Sequence, residues 1–358
     1  MARVHPAVPS LTVSSIGLRL AQPRLDFSHS LCTIVASAAA AARGVQMRCV
    51  SWPIWGLVFL FLSTQASLAE EILEVSRSFI EKYKNKLTID ATYIVDAAHK
   101  KPNPPNKDGD MHVAGRAAEI GLATVAEIQN AKDVPDAVAS IKNVEGSGQT
   151  IALTGVWRIW PEHGGDNSHI QQTGPGPQYE GPGPTNPPHV FEIHPILKIG
   201  QQDLSRTLKP IEGFDAKEAE DAFTRYEHGS FEITPAEDRV RMRMRMIGFN
   251  YVKFLMKVRK RFHREQDGEF ISAAIYSQEE ELLVHDRRVG FVAGTAPDEK
   301  QKNVNVGQCI LVLGIPRVDL ALVSWRIRHG GDALGWSLPY EMIVVGVYDN
   351  QTRGCGDE

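Results

Sequence analysis

Three short clusters each set a carboxylate within two residues of an imidazole: Asp108-Gly109-Asp110-Met111-His112, Glu162-His163-Gly164 and Glu192-Ile193-His194-Pro195. On a β-strand, positions i and i+2 point the same way, so Asp110 with His112, and Glu192 with His194, can each present both groups to one side of a sheet. Divalent metals with nitrogen and oxygen ligands use such sets, and a metal-bound water can then serve hydrolysis. Glu127 is a further candidate ligand. The alternative is that these groups hydrogen-bond one another and the nearby backbone, tying strand ends together, as buried polar groups must find partners. No HExxH-type helical spacing supports the metal, so the hydrogen-bonded reading leads: no cofactor is expected, and a divalent metal is the alternative. The chain also lacks a G-x-S-x-G elbow, a Walker lysine loop, a G-x-G-x-x-G after a strand and a C-x-x-C pair.

The order D-G-D-M-H (108–112), V-A-E-I (125–128), L-T-G-V (153–156), E-H-G (162–164) and F-E-I-H-P-I (191–196) resembles a recurring module of bacterial exported proteins, compact OB-like β-barrel domains without an established activity. The resemblance covers roughly residues 90–200. It implies a barrel and an extracytoplasmic address, and no reaction, because a fold does not carry a function. The chain departs from the module at Pro161–Pro188, where 13 of 28 residues are Gly or Pro and a long surface loop separates two of the clusters.

The elements that must position these groups are mostly strands. Residues 88–96, 111–115, 122–128, 150–160 and 189–199 are rich in β-branched and aromatic residues and bounded by Gly, Pro and Asn. With one short helix near 133–142 they suit a small OB-like barrel over 88–205, in which closure removes exposed edges. Before it, Ile72, Val75, Phe79, Tyr83 and Leu87 repeat with helical period and predict an amphipathic helix over 70–87. A larger antiparallel β-domain, sandwich or barrel, is expected over 213–350. It opens with a helix over 215–226 with Asp215 as N-cap. Strands are expected at 239–246, 249–258, 269–276, 282–285, 289–293, 309–315, 318–328 and 340–348. In the first of these Val240, Met242, Met244 and Met246 alternate with four arginines, so the methionines go in and the arginines out.

From Arg239 to Arg264 there are ten Lys or Arg and no acid. Arg241, Arg243, Arg245, Lys257, Arg259, Lys260 and Arg261 are therefore candidates for binding a polyanion such as nucleic acid. The alternative, which leads, is a solvated face neutralised by acids across strands. Lys257–Arg264 reads as a turn. His329-Gly330-Gly331-Asp332 echoes His163-Gly164-Gly165-Asp166.

The stretch from Met47 carries one basic residue, an apolar run from Trp52 to Leu62, and Ser67-Leu68-Ala69 before two glutamates. That order predicts a signal peptide over 47–69, with 1–46 a mis-called N-terminal extension, no membrane span after cleavage, and a secreted or periplasmic mature chain. Residues 1–69 hold 5 of the 39 Lys and Arg but 1 of the 43 Asp and Glu, leaving 34 basic against 42 acidic residues, net −8. Of four cysteines, Cys309 and Cys355 remain, and in an oxidising compartment they can form a disulfide. The leading functional expectation is a noncatalytic binding or envelope-associated protein of unknown partner. The alternatives are a metal-dependent hydrolase of phosphate-bearing substrates and a polyanion-binding protein.

Overall fold

The computed structural model describes residues 70–163, 168–179, 184–245, 247–330, 334–348 and 355, so the expected extension and signal peptide lie outside it. The first half runs β1 (Glu70–Ser76), α1 (Arg77–Tyr83), β2 (Thr88–Ala98), β3 (Met111–Ala117), β4 (Ala123–Ile128), α2 (Pro135–Val144), β5 (Thr150–Ile159), β6 (Ser168–Ile170), β7 (Phe191–Ile199) and β8 (Gln202–Asp203). The second half begins with β9 (Lys217–Glu218), α3 (Ala219–Glu227), β10 (Ser230–Pro235), β11 (Arg239–Arg245), β12 (Val252–Glu265) and β13 (Gly268–Tyr276). It continues with β14 (Leu282–Val292), α4 (Ala296–Gln301), β15 (Cys309–Val318), α5 (Leu320–His329), β16 (Leu334–Ser337) and β17 (Tyr340–Val347).

The chain is mostly β, as expected, and two of its sheets close into five-stranded barrels. In the first the order is β4-β3-β2-β5-β7, and the parallel pairing of β4 with β7 shuts it. In the second, β13-β14-β17-β15-β12, the β12–β13 pairing does the same. Closure leaves no unpaired edge, which suits strands apolar on nearly every position, such as β15 and β17. A third sheet, β16-β10-β11-β1-β6, draws strands from both halves, and the described residues belong to one compact unit. In β11, Val240, Met242 and Met244 are buried while Arg241, Arg243 and Arg245 are exposed, as the alternation requires.

Five expectations need correction. Residues 70–76 are a strand, with the helix confined to Arg77–Tyr83. β1 lies antiparallel to β11 with Glu70 opposite Arg245 and Glu74 opposite Arg241, and this charge complement outweighs the helical period. The helix expected from Asp215 starts at Ala219, because Lys217–Glu218 pair with β12 and the cap position falls to Glu218. Lys257–Arg264 is no turn: β12 runs unbroken for 14 residues, kinked by register shifts at Val258/Lys260 and Arg261/His263. Segments 282–285 and 289–293 are one strand. Of the strand expected over 318–328 only Val318 is extended, as the end of β15, and Leu320–His329 form α5, because the Asp319 carboxylate accepts hydrogen bonds from the Ala321 and Leu322 amides and caps it. Helix α4 had no separate expectation.

Cys309 and Cys355 are joined by a disulfide, Cα atoms 5.8 Å apart, packed among Leu255, Ala274, Tyr276 and Leu311. The bridge spans a sequence separation of 46, and by the lost entropy of the unfolded chain it contributes about 4 kcal/mol. Reduction, or Cys309→Ser, should lower unfolding free energy in urea by about that amount. A change below about 1 kcal/mol would contradict the bond's contribution. Among the described residues no helix is long and apolar enough to cross a membrane.

Candidate functional site

The first barrel encloses a centre of acids and imidazoles. His112 on β3 stands opposite Glu127 on β4 in the antiparallel register, and Val125 of β4 is matched to Glu192 of β7 in the parallel one. With β3 and β7 both hydrogen-bonded to β4, His112, Glu127, Glu192 and His194 meet inside. Asp110 sits at the start of β3, where the Asp108 carboxylate accepts from the Asp110 amide (3.0 Å) and from Asn103 Nδ2 (2.9 Å). Asp108 therefore shapes the turn that leads into β3. Tyr251, from the start of β12, closes the site from the second half. Its hydroxyl donates to Asp110 Oδ2 (2.7 Å) and accepts from His194 Nε2 (2.8 Å).

Asp110, Glu127, Glu192, His194, Tyr251 and Arg158 are all buried. His194 Nδ1 lies 3.4 Å from Glu127 Oε2 and 3.5 Å from Glu192 Oε2, and His112 Nε2 lies 3.6 Å from Glu127 Oε2. None of these three approaches is a hydrogen bond. Both oxygens of Glu127, Oδ1 of Asp110, Nδ1 of His194 and Nδ1 of His112 are buried without a hydrogen-bond partner. One ligand atom each from Asp110, Glu127 and His194 lies within 4.8 Å of the others.

The electrostatics follow from this crowding. Burial pushes Asp110 up to about 6 and Glu127 up to about 7. Burial alone would lower His194, but the carboxylates of Glu127, Asp110 and Glu192 outweigh it and hold the imidazole up at about 10. Glu192 behaves otherwise: burial opposes its ionisation, yet the Arg158 guanidinium and His189 hold it well below the usual carboxylate range. Burial lowers His112. The centre thus contains three buried carboxylate oxygens, both of Glu127 and Oδ1 of Asp110, that are desolvated without a donor, an arrangement a positive ion would relieve.

Glu162 and His163 join at one remove. Arg158 Nη2 donates to Glu162 Oε2 (2.9 Å) while Arg158 Nη1 holds Glu192, and His163 Nε2 is 3.5 Å from Glu162 Oε1. Glu162, His163 and Glu192 also cluster, but one guanidinium already binds both carboxylates of this trio. His189 completes this outer layer, Nε2 3.2 Å from Glu192 Oε1 and its ring stacked on His163.

The structure brings together Asp110, His112, Glu127, Glu192 and His194, with Glu162 and His163 beside them. The sequence reading missed Arg158, His189 and Tyr251. Arg158 carried a signal, a lone charge within the apolar run Val156-Trp157-Arg158-Ile159-Trp160; Tyr251, supplied from 141 residues beyond Asp110, carried none. The basic candidates do not form one face. Arg241, Arg243 and Arg245 belong to the mixed sheet, and Lys257, Arg259, Lys260 and Arg261 to the second barrel. Arg241 pairs with Glu74 (2.6 Å), Arg243 with Glu232 (3.3 Å) and Glu70 (3.7 Å), and Arg261 with Glu269 (3.1 Å).

Compared with known proteins, the chain matches no family model and no curated protein, so functional inference rests on this geometry.

Proposed function

We propose that this is an exported, noncatalytic divalent-cation-binding protein whose ion is enclosed in the first barrel. The observation that carries the reading is the set of buried atoms without partners, both Glu127 oxygens, Asp110 Oδ1 and His194 Nδ1, on three side chains that bring one ligand atom each within 4.8 Å of one another. A tetrahedral ion bound at about 2.0–2.1 Å sets its ligand atoms about 3.4 Å apart. The His194 Nδ1 to Glu127 Oε2 separation of 3.4 Å matches that edge. Tyr251 accepts from His194 Nε2 and donates to Asp110 Oδ2, which leaves Nδ1 and Oδ1 as the free ligand atoms. Burial of every one of these groups favours holding an ion over hydrolysing a phosphate-bearing substrate, since catalytic metal sites keep an open position. The signal-like segment at 47–69 and the Cys309–Cys355 disulfide support an oxidising, extracytoplasmic setting.

Purified protein should carry about one divalent ion per chain by elemental analysis. After stripping with chelator it should regain, on adding back a hundredfold excess of ion over Kd, about 2.7 kcal/mol of stability. Protein free of metal as isolated, with identical melting in chelator and in added Zn²⁺ or Mn²⁺, would end this reading. Because the ligands must shed protons, uptake should weaken as pH falls.

A further inference from the structure

The two barrels repeat one another. Each closes with its strands in the order first, second, third, fifth, fourth, pairs its third and fifth strands in parallel, and places a helix between its third and fourth. Each fourth strand carries a glycine three residues before an arginine, Gly155 and Arg158 in β5, Gly314 and Arg317 in β15. Pairing with the fifth strand shifts register at that glycine in both. A Cβ there would lie 2.3 Å from Ile193 Cγ2 in one barrel and 2.8 Å from Phe254 Cε1 in the other. Each arginine then faces a glutamate of the fifth strand, Arg158 opposite Glu192 and Arg317 opposite Glu341.

The arginines also reciprocate. Arg158 Nε donates to Pro316 O (2.8 Å), and Arg317 Nη1 donates to Trp157 O (3.0 Å). Each thus binds the carbonyl just before the other, which is the exchange expected across a two-fold axis between equal copies. The His-Gly-Gly-Asp echo at 163–166 and 329–332 falls between the fourth and fifth strands both times.

This repetition supplies an internal control. With Glu192 matched to Glu341, the strand registers match His194 to Ile343, Glu127 to Gly290, His112 to Phe270 and Asp110 to Gly268. The second barrel fills the same place with hydrocarbon. A Cβ on Gly290 would meet Leu87 Cδ2 at 2.4 Å, Ile343 Cδ1 at 2.9 Å and Phe270 Cε1 at 3.2 Å, and one on Gly268 would meet Leu87 Cδ1 at 2.2 Å. The fold therefore closes without any polar group at these positions, whereas the Arg–Glu pair is present in both barrels.

We infer that the four residues peculiar to the first barrel, Asp110, His112, Glu127 and His194, are the ligands of a first-row transition metal, and that Arg158 and Glu192, like Arg317 and Glu341, are framework. This rests on the cation reading above and sharpens it. Glu192 is committed to Arg158, so it is not free to ligate, and His112 enters through its 3.6 Å approach to Glu127. Two imidazoles with two carboxylates suit Zn²⁺, Mn²⁺, Fe²⁺ or Co²⁺, whereas Ca²⁺ and Mg²⁺ select oxygen ligands.

Cobalt(II) titration of the stripped full chain, followed by visible absorption, tests the assignment. The wild type should show bands of a four-coordinate site and should not bind Ca²⁺ in competition. His112→Ala and the milder His112→Gln should both weaken cobalt binding about 100-fold or more and change the spectrum. Glu192→Gln and Glu341→Gln should each lower Tm by similar amounts while leaving the cobalt spectrum in place. Cobalt binding untouched by both His112 variants, or abolished by Glu192→Gln in a protein that still melts cooperatively, would overturn this assignment. No cobalt binding by the wild type would instead defeat the cation reading itself, and the matched Tm losses would still report on the framework.

Discussion

His194→Ala is expected to abolish ion uptake and to destabilise even the ion-free protein by about 3–5 kcal/mol, because it removes the one cationic partner shared by buried Asp110, Glu127 and Glu192. Glu127→Gln should act with the opposite sign. It also abolishes uptake, but it removes a buried carboxylate with no hydrogen-bond donor, so the ion-free variant should be at least as stable as ion-free wild type. The pH dependence gives the same contrast. Burial raises Glu127 to about 7 and Asp110 to about 6 in the folded state, above their ordinary values. The folded state therefore binds these protons more tightly than the unfolded chain, and this advantage is fully present below the ordinary carboxylate range. It is lost as pH rises through about 6 to 7. Ion-free wild type should lose stability relative to Glu127→Gln over that window, as measured by urea unfolding. A Glu127→Gln protein less stable than wild type at every pH would favour a purely hydrogen-bonded cluster.

Arg317→Ala should be the most damaging change outside the centre, costing about 3–5 kcal/mol. Its buried guanidinium donates to Glu341 (2.7 Å) and to the carbonyls of Leu87, Trp157 and Lys86, and lies 3.7 Å over the Trp157 ring. Removing it leaves Glu341 with only Arg288 as a cationic partner, takes a donor from three carbonyls together and breaks one of the two arginine ties between the barrels. Arg317→Lys should recover little, since an ammonium cannot reach the same fork of acceptors. A loss below about 1 kcal/mol in chemical denaturation would contradict its role as a tie between barrels.

Local pattern made the first barrel legible. The runs at 88–96, 111–115, 122–128, 150–160 and 189–199 are apolar, bounded by turn formers, and each became a strand. The i, i+2 spacing of Glu192 and His194 sets those two side chains 3.5 Å apart inside the first barrel. What the chain did not disclose locally depends on distant partners. β1 is a strand because β11 offers four arginines in register, and α5 is a helix because Asp319 caps a run whose apolar content suits either state. The likeness of the second barrel to the first was hidden for a further reason: its counterparts to the polar centre are Gly268, Phe270, Gly290 and Ile343, which read as ordinary core. The repeated arrangement surfaces only once the strand registers match Arg158 to Arg317.

Anomalous diffraction from crystals of the chain loaded with cobalt or zinc, collected at the metal's absorption edge, tests the central claim most directly. The account expects one strong peak inside the first barrel, about 2.0–2.2 Å from Glu127, Asp110 and His194 Nδ1, and no peak at Gly290 and Ile343 of the second. Loaded crystals without that peak, in which Tyr251 still bridges Asp110 and His194 around closely packed acids, would contradict it.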